Sequence, residues 1–335
     1  MRRFFTKREL GKTLSYTGLI FLLFLGPLFM GSYYIHLAIL VLMYIILTSS
    51  LRTIYISGQL SLGHAAFMGI GAYTSAILAL RLGWTPWGTI PLGGLAAMTV
   101  AVLIGYPFSR LRAIYFSMAS LFFGSMITAL VRVFPELTAP EAILTGIPHL
   151  DAITIPGLLH IDFAASRVPY YYFFLVLTLL TLLVLYRIEQ SRIGMTSKAV
   201  AQSHLAASSI GINEGGARIL ALAIGCFFAG IAGAGYAHYT TFISPATFDL
   251  MPSIYLVIYL LVGGRGSFAG PIVGAAVLFL IPFIMGGFKG YAPFFLAGAL
   301  IVVIFLIPQG IVSLPDQTKS WIRKLRERRV PESDS

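Results

Sequence analysis

The feature that most constrains this chain is a series of long apolar runs that recur along most of its length. Residues 87–108 and 170–186, for example, contain no acidic or basic side chain. A hydrocarbon layer about 30 Å thick is crossed by roughly 20 apolar residues in a helix. Only 10% of the residues are charged, against about 25% in a soluble domain. A soluble fold is therefore excluded, and an integral membrane protein is predicted.

The apolar runs predict an all-α fold, a polytopic helical bundle of about ten transmembrane helices. The first run follows basic residues, as the apolar part of a signal peptide does. It continues past Pro27 without a small-residue cleavage pattern, so we interpret it as a retained helix. The predicted spans are residues 16–30, 34–51, 62–80, 87–108, 114–134, 170–186, 219–239, 253–262, 271–285 and 294–311.

The positions of the basic residues predict the orientation of the bundle. With a cytoplasmic N-terminus and ten spans, the 23 Lys and Arg residues fall on the cytoplasmic side except for Arg81, Arg132, Arg167 and Lys289. This bias follows the positive-inside rule, so both termini are expected inside. The net charge of +11 is then explained by topology, without a nucleic-acid partner. The predicted parts are a basic N-terminus (1–13), a transmembrane domain (14–312) with an outer loop (135–168) and a cytoplasmic loop (187–217), and a basic tail (313–335).

Chemically reactive residues are sparse within the predicted spans. Every acidic residue is expected in a loop, in a tail or at the edge of a span, whereas ion-coupled carriers place charge near the bilayer centre. The six histidines form no HExxH pattern, and a single cysteine, Cys226, excludes a disulfide within the chain. We therefore expect neither an enzyme nor a metal site, and we expect another protein to supply the energy for any transport.

The stretch 58–73, GQLSLGHAAFMGIGAY, joins small residues to a polar start. Small residues let helices approach closely, and the polar start predicts an irregular segment buried in protein or lining a cavity. His64 is expected to be a hydrogen-bonded structural group. A similar run of small residues ends at Tyr236. Tight packing alone and a translocation pathway both remain open interpretations. The candidate residues are Gln59, Ser61, Gly63, His64, Phe67, Gly69, Gly71, Tyr73, Gly233 and Tyr236.

The cytoplasmic loop 187–217 predicts one short amphipathic helix that ends at Gly211. Val200, Leu205 and Ile212 have spacings compatible with a single apolar stripe. Such a helix can lie at the membrane interface or dock in the groove of a partner protein. The pattern alone does not choose between these two locations.

A glycine-rich stretch between the eighth and ninth spans predicts a tight interhelical turn. Its spacing, GGxGSxxGP, matches neither a P-loop nor a dinucleotide-binding fingerprint. Pro271 suits the first turn of the following helix. The predicted turn residues are Gly263, Gly264, Gly266, Ser267, Gly270 and Pro271.

Together these three stretches resemble the permease subunits of branched-chain amino acid ABC importers, and in particular the longer of the two paired permeases. The family pattern GQxSLGHAAFxGIGAY is matched over 58–73, and SRIGxxxxAxxxxxxAAxxxGIN is matched over 191–213. The pattern ISPxxFxxxxSI, followed by GGxGSxxGPxxGA, is matched over 243–275. The resemblance extends over about residues 35–312.

This resemblance implies a set of partners and a location in the bacterial cytoplasmic (inner) membrane. The partners are a second homologous permease, two cytoplasmic ATP-binding subunits and an extracytoplasmic solute-binding protein. ATP and magnesium are expected in the ATP-binding subunits, so no cofactor is expected in this chain. The loop after the sixth span becomes the coupling helix. Its candidate contact residues are Ser191, Arg192, Ile193, Gly194, Ala199, Leu205, Ala206, Ala207, Gly211 and Ile212.

The substrate implied by the resemblance is a branched-chain or related neutral amino acid. Two departures bear on it. The outer stretch 137–148 keeps the Gly-Ile-Pro end of the family pattern but lacks its other glycines, and residues 202–204 are Gln-Ser-His where acidic residues are common. The same type of importer for urea or amides is an alternative. A stand-alone channel or facilitator is an alternative of another class.

Overall fold

A computed structural model describes residues 23–111, 113–133, 143–155 and 159–284, with isolated residues 294, 298, 301 and 310–313. Most of the described residues are helical. The α-helices whose bounds lie within the described residues are α1 (Ser32–Tyr55), α2 (His64–Leu82), α3 (Pro86–Phe108), α4 (Ala113–Val133), α5 (Val168–Gln190), α6 (Arg192–Gln202), α7 (His204–Ser209), α8 (Glu214–Thr240), α9 (Leu250–Gly263) and α10 (Gly270–Ile284). Short 3-10 helices cover Gly26–Leu28, Pro245–Phe248 and Ile311–Ser313.

Within the described part of the chain, four short strands lie at one end of the bundle, which we call the strand end. β1 (Leu144–Thr145) pairs antiparallel with β4 (Phe242–Ile243), with Leu144 opposite Ile243. β2 (Ile153–Ile155) and β3 (Leu159–Ile161) form a second antiparallel pair. The opposite end carries α6 and α7 and is called the short-helix end.

The described helices confirm the predicted spans in the part of the chain where they can be compared. Seven helices there are long and apolar enough to cross a membrane, the last being the continuous segment Pro245–Gly263, and a shorter apolar helix covers Gly270–Phe283. The first and tenth predicted spans lie largely outside the described residues. The fold is thus a polytopic helical membrane protein, while the count of ten spans and the orientation of the termini stay predictions.

The boundaries of the loop after the sixth span need correction. The sequence predicts a polar connection over 187–217, whereas α5 continues to Gln190 and α8 already begins at Glu214. The connection is therefore shorter. α8 begins at Glu214 because Asn213 caps it: the Asn213 side chain accepts a hydrogen bond from the amide of Gly216 (3.0 Å).

The centre of the bundle is formed by α8, which packs most extensively on α3 and α2. α8 is rich in glycine and alanine, and its residues Ala229, Ala232 and Ala237 have no exposed surface. Backbones that approach closely gain many van der Waals contacts, which is how helices associate when both phases are apolar. α1 joins this core along its length and also contacts α5, α9 and α10.

Candidate functional site

The segment between α1 and α2 is irregular and buried, as the sequence predicts. Residues 56–63 are not α-helical, and Gln59 and Ser61 are 1% and 0% exposed. Irregular backbone near a membrane needs protein partners for its polar groups. α4 supplies one of them, since Ser120 Oγ accepts a hydrogen bond from the Leu62 amide (3.0 Å).

The predicted glycines lie at helix crossings that leave no room for a side chain. A methyl group at Gly63 would overlap the carbonyl oxygen of Ser120 on α4. One at Gly71 would overlap the carbonyl oxygen of Gly230, where α2 crosses α8. At Gly233 the overlap is with the carbonyl oxygen of Met68. These glycines serve close packing in the conformation described.

The segment that leads into α9 packs against α2, although the two are far apart in the sequence. Phe248, in the 3-10 helix before α9, fills the space over Gly69, and its ring lies 5.9 Å from that of Tyr73. Ser253 Oγ accepts a hydrogen bond from the amide of Ala65 (3.0 Å), close to the start of α2. The segment 245–253 is therefore packed against the first half of α2, which the sequence does not reveal.

His64 lies at the first position of α2 and is fully buried. Its Nε2 is 2.9 Å from Ser50 Oγ on α1, which confirms the predicted structural hydrogen bond. Among the residues that the structure describes, no group of His, Cys, Asp or Glu is arranged to hold a metal ion.

The predicted pathway residues do not all occupy the same kind of environment. Tyr236 is partly exposed and lines two cavities. One is a cavity of about 170 Å³ between α1, α2, α8, α9 and α10, with a mostly apolar wall. The other predicted residues are buried, namely Gln59, Ser61, Gly63, His64, Phe67, Gly69, Gly71, Tyr73 and Gly233.

Larger cavities open at both ends of the bundle. The one at the strand end measures about 810 Å³ and has Tyr236 in its wall. The one at the short-helix end measures about 690 Å³ and is lined in part by Arg52, Glu189 and Lys198. The small apolar cavity shares Tyr236 with the first, and its wall reaches Leu47 on α1, about one and a half turns from Arg52 in the second.

The predicted coupling helix consists of two helices, which corrects the expectation of a single one. α6 ends at Gln202 and α7 begins at His204. Ser203 between them is extended (φ −157°), and its Oγ accepts a hydrogen bond from the Ala206 amide (3.3 Å). The predicted common stripe is therefore wrong, because this break leaves Val200 2% exposed but Leu205 71% exposed.

The predicted coupling residues separate into an inward and an outward set. Gly194 and Ala207 are buried, and a methyl group at Gly194 would overlap the backbone of Glu189. Ser191 caps α6 by accepting a hydrogen bond from the Ile193 amide (3.2 Å). Ser191, Ala199 and Ile212 are partly exposed; the exposed members are Arg192, Ile193, Leu205, Ala206 and Gly211.

A charged network that sequence reasoning missed ties α6 to the bundle. Glu189 near the end of α5 forms ion pairs with Arg52 of α1 and with Lys198 of α6, the latter at 2.9 Å. The Arg52 and Glu189 side chains are only 5% and 10% exposed. Both were expected outside the spans, yet both lie within helices. The available signal was that each lies just after a long apolar run, Arg52 directly and Glu189 within three residues.

Arg52 also contacts the glycine-rich turn. Its guanidinium lies 5.7 Å from the ring centre of Phe268, a cation–π distance. The predicted turn is confirmed between α9 and α10, with Gly263 ending the first helix and Gly270 beginning the second. Gly264 has φ +118°, a value that favours glycine. Pro271 lies in the first turn of α10, and Gly266 and Ser267 lie in the turn itself.

Residues 33–307 match the family described as "Branched-chain amino acid transport system / permease component". Two relatives are high-affinity branched-chain amino acid transport system permease proteins LivM, from Salmonella typhimurium and Escherichia coli. Each is 28% identical over 303 residues, which cover 84% of this chain and 70% of the relative. No solved structure shows a significant match.

Proposed function

The chain belongs to the family of branched-chain amino acid transport system permease components, and we propose that it is the longer, LivM-like permease of an ATP-driven importer. Its proposed substrates are branched-chain or related neutral amino acids delivered by an extracytoplasmic binding protein. The family match covers most of the chain. The observation that supports an ATP-driven importer is the exposed apolar surface at α7.

That surface supports docking on a separate ATP-binding subunit. On α7, Leu205 is 71% exposed and lies next to the exposed Ala206, and Ile210, directly after the end of α7, is 75% exposed. Exposed apolar residues on a short helix fit a helix-in-groove contact. ATP and magnesium are proposed to bind to that partner. The ion pairs of Glu189 link α6 to α1 and α5, so that a movement of α6 and α7 on the ATP-binding subunit is transmitted to the bundle.

The cavities support a route through or beside this chain. An apolar cavity of about 170 Å³ lies between a larger cavity at the strand end and another at the short-helix end. Met43, Met68, Leu256 and Phe279 in its wall provide the dispersion contacts that an aliphatic side chain needs. Tyr236 lies where this cavity meets the larger one.

The distribution of basic residues supports the placement in the bacterial cytoplasmic (inner) membrane with both termini inside. The short-helix end then faces the ATP-binding subunits in the cytoplasm, and the strand end faces the binding protein. A second homologous permease is proposed to complete the transmembrane part.

Reconstitution tests this proposal. The chain is co-expressed with the second permease and the ATP-binding subunits of the same organism, placed in proteoliposomes and supplied with loaded binding protein. We expect ATP-dependent uptake of labelled leucine or valine. Uptake of labelled urea or acetamide instead would reassign the substrate. Solute uptake by this chain alone, without ATP, would overturn the importer in favour of a facilitator.

A further inference from the structure

The cavity at the strand end has the composition of a ligand site. It measures about 810 Å³, within the roughly 300–1,000 Å³ typical of small-molecule pockets. Among the residues that the structure describes, its wall contains one arginine, Arg167, and no aspartate or glutamate. A single cation without a nearby carboxylate in the wall favours a ligand that carries negative charge.

Arg167 is held so that its guanidinium faces this cavity's rim. It precedes α5, and its Nη1 donates hydrogen bonds to both the carbonyl oxygen and Oγ of Ser32 at 3.3 Å. The side chain thus bridges the starts of α1 and α5. A planar guanidinium presents further donors in a geometry that matches a carboxylate.

Part of the cavity wall is aromatic and fixed by hydrogen bonds. Tyr239 lies 5.1 Å from Tyr170 between ring centres, and its hydroxyl is 2.5 Å from Nδ1 of His36. The hydroxyl of Tyr170 donates to the His238 carbonyl (2.7 Å). Aromatic faces attract cations and pack against aliphatic groups. Tyr236 continues this wall toward the small apolar cavity.

A strained residue borders the same cavity. Thr241 has φ +62°, which is unfavourable for a β-branched side chain. It is held there because its amide donates to the Ala237 carbonyl, while its own carbonyl accepts from Ile147 (3.1 Å). Strained backbone of this kind concentrates at functional sites.

We propose that this cavity is the reception site of the permease, in which Arg167 binds the α-carboxylate of a neutral amino acid and the tyrosine wall receives its ammonium group and aliphatic side chain. This inference rests on the proposed function and adds a specific site to it. A ligand without a carboxylate is therefore expected to bind poorly.

Saturation-transfer NMR on the assembled importer, purified without its binding protein, tests this site. We expect signals from leucine but much weaker ones from leucinamide. Arg167→Gln is expected to weaken leucine binding about 10- to 100-fold, the loss of one charge-assisted hydrogen-bonded contact, whereas Arg167→Lys retains part of it. Arg81→Gln, an exposed arginine outside the cavity wall, is the matched control and leaves binding unchanged.

Each outcome separates this inference from the proposed function. Equal leucine binding by the wild type and Arg167→Gln, or equal binding of leucine and leucinamide, would overturn the reception site even if ATP-driven leucine uptake is intact. Failure of the wild-type importer to take up any branched-chain amino acid would overturn the proposed function. Size-exclusion chromatography of each variant shows that the complex has assembled.

Discussion

At the scale of single residues, the atoms packed against each glycine determine whether a side chain fits at that position. Gly71 and Gly233 face backbone carbonyl oxygens of a neighbouring helix, whereas Gly88 on α3 has only Thr85 Oγ1 nearby, at 3.6 Å. The sequence displays all three alike as glycines in apolar runs. Only the contact partner separates a position that must be glycine from one that need not be.

Gly233→Ala is expected to destabilise the permease by about 1–3 kcal/mol, because the added methyl group forces α2 and α8 apart. The measurement is thermal unfolding of the detergent-purified protein. Gly88→Ala is the control and should be neutral or slightly stabilising, since alanine has the higher helix propensity. Equal melting temperatures for both variants would show that the α2–α8 crossing tolerates side chains.

At the scale of elements, the ends of the helices carry the connections that organise the molecule. The end of α5, the end of α1 and the side of α6 meet in the network of Glu189, Arg52 and Lys198. Two buried charges that satisfy each other are costly to separate, because removal of one leaves the other without a partner.

Arg52→Met is expected to destabilise the protein by about 3 kcal/mol, since it leaves the nearly buried Glu189 with the half-exposed Lys198 as its remaining ion-pair partner. The double variant Arg52→Met, Glu189→Leu should recover much of that loss. A double-mutant cycle on melting temperature measures the coupling. Arg187→Ala on α5, an exposed arginine, is the control, and additive effects in the cycle would argue against the pair.

The two short helices give a second prediction at this scale. Leu205→Asp changes an exposed side chain, so the fold should persist while docking on the ATP-binding subunit weakens about tenfold or more, as for a hot-spot residue. Substrate-stimulated ATP hydrolysis by the assembled importer is the measurement. Leu205→Met keeps the apolar contact and should behave as wild type. Unaltered stimulation in Leu205→Asp would mean that α7 is not the docking element.

At the scale of the whole molecule, the bundle has two chemically different ends. The strand end holds a cavity with an aromatic wall and one arginine, while the short-helix end holds the ionic network and the exposed residues of α7. The proposed function requires that the two ends face opposite sides of the membrane in the orientation given by the basic residues.

Cysteine labelling tests that orientation. Ala165→Cys at the strand end and Ser209→Cys on α7 replace exposed residues, and the natural Cys226 is buried. A membrane-impermeant maleimide should label position 165 in cells whose outer membrane is permeable, and position 209 only after the inner membrane is opened. The wild type is the control for background at Cys226. The reverse pattern would invert the proposed topology.

Several features of this protein were determined by the sequence itself. Apolar runs long enough for a bilayer set the helices, and the polar residues at 58–63 set an irregular entry to α2, because both depend on local composition. The predicted turn between α9 and α10 was confirmed for the same reason, since its glycines act within a few residues.

Other features were decided by the tertiary structure, because they depend on residues far apart in the chain. The pairing of Arg52 with Glu189 and the packing of Phe248 over Gly69 have no signal in periodicity. The cavity that joins Arg167 to Tyr236 exists because α1, α5 and α8 meet at the strand end. Sequence patterns report which side chains prefer lipid or protein, whereas only the packed backbone determines which of them share a space.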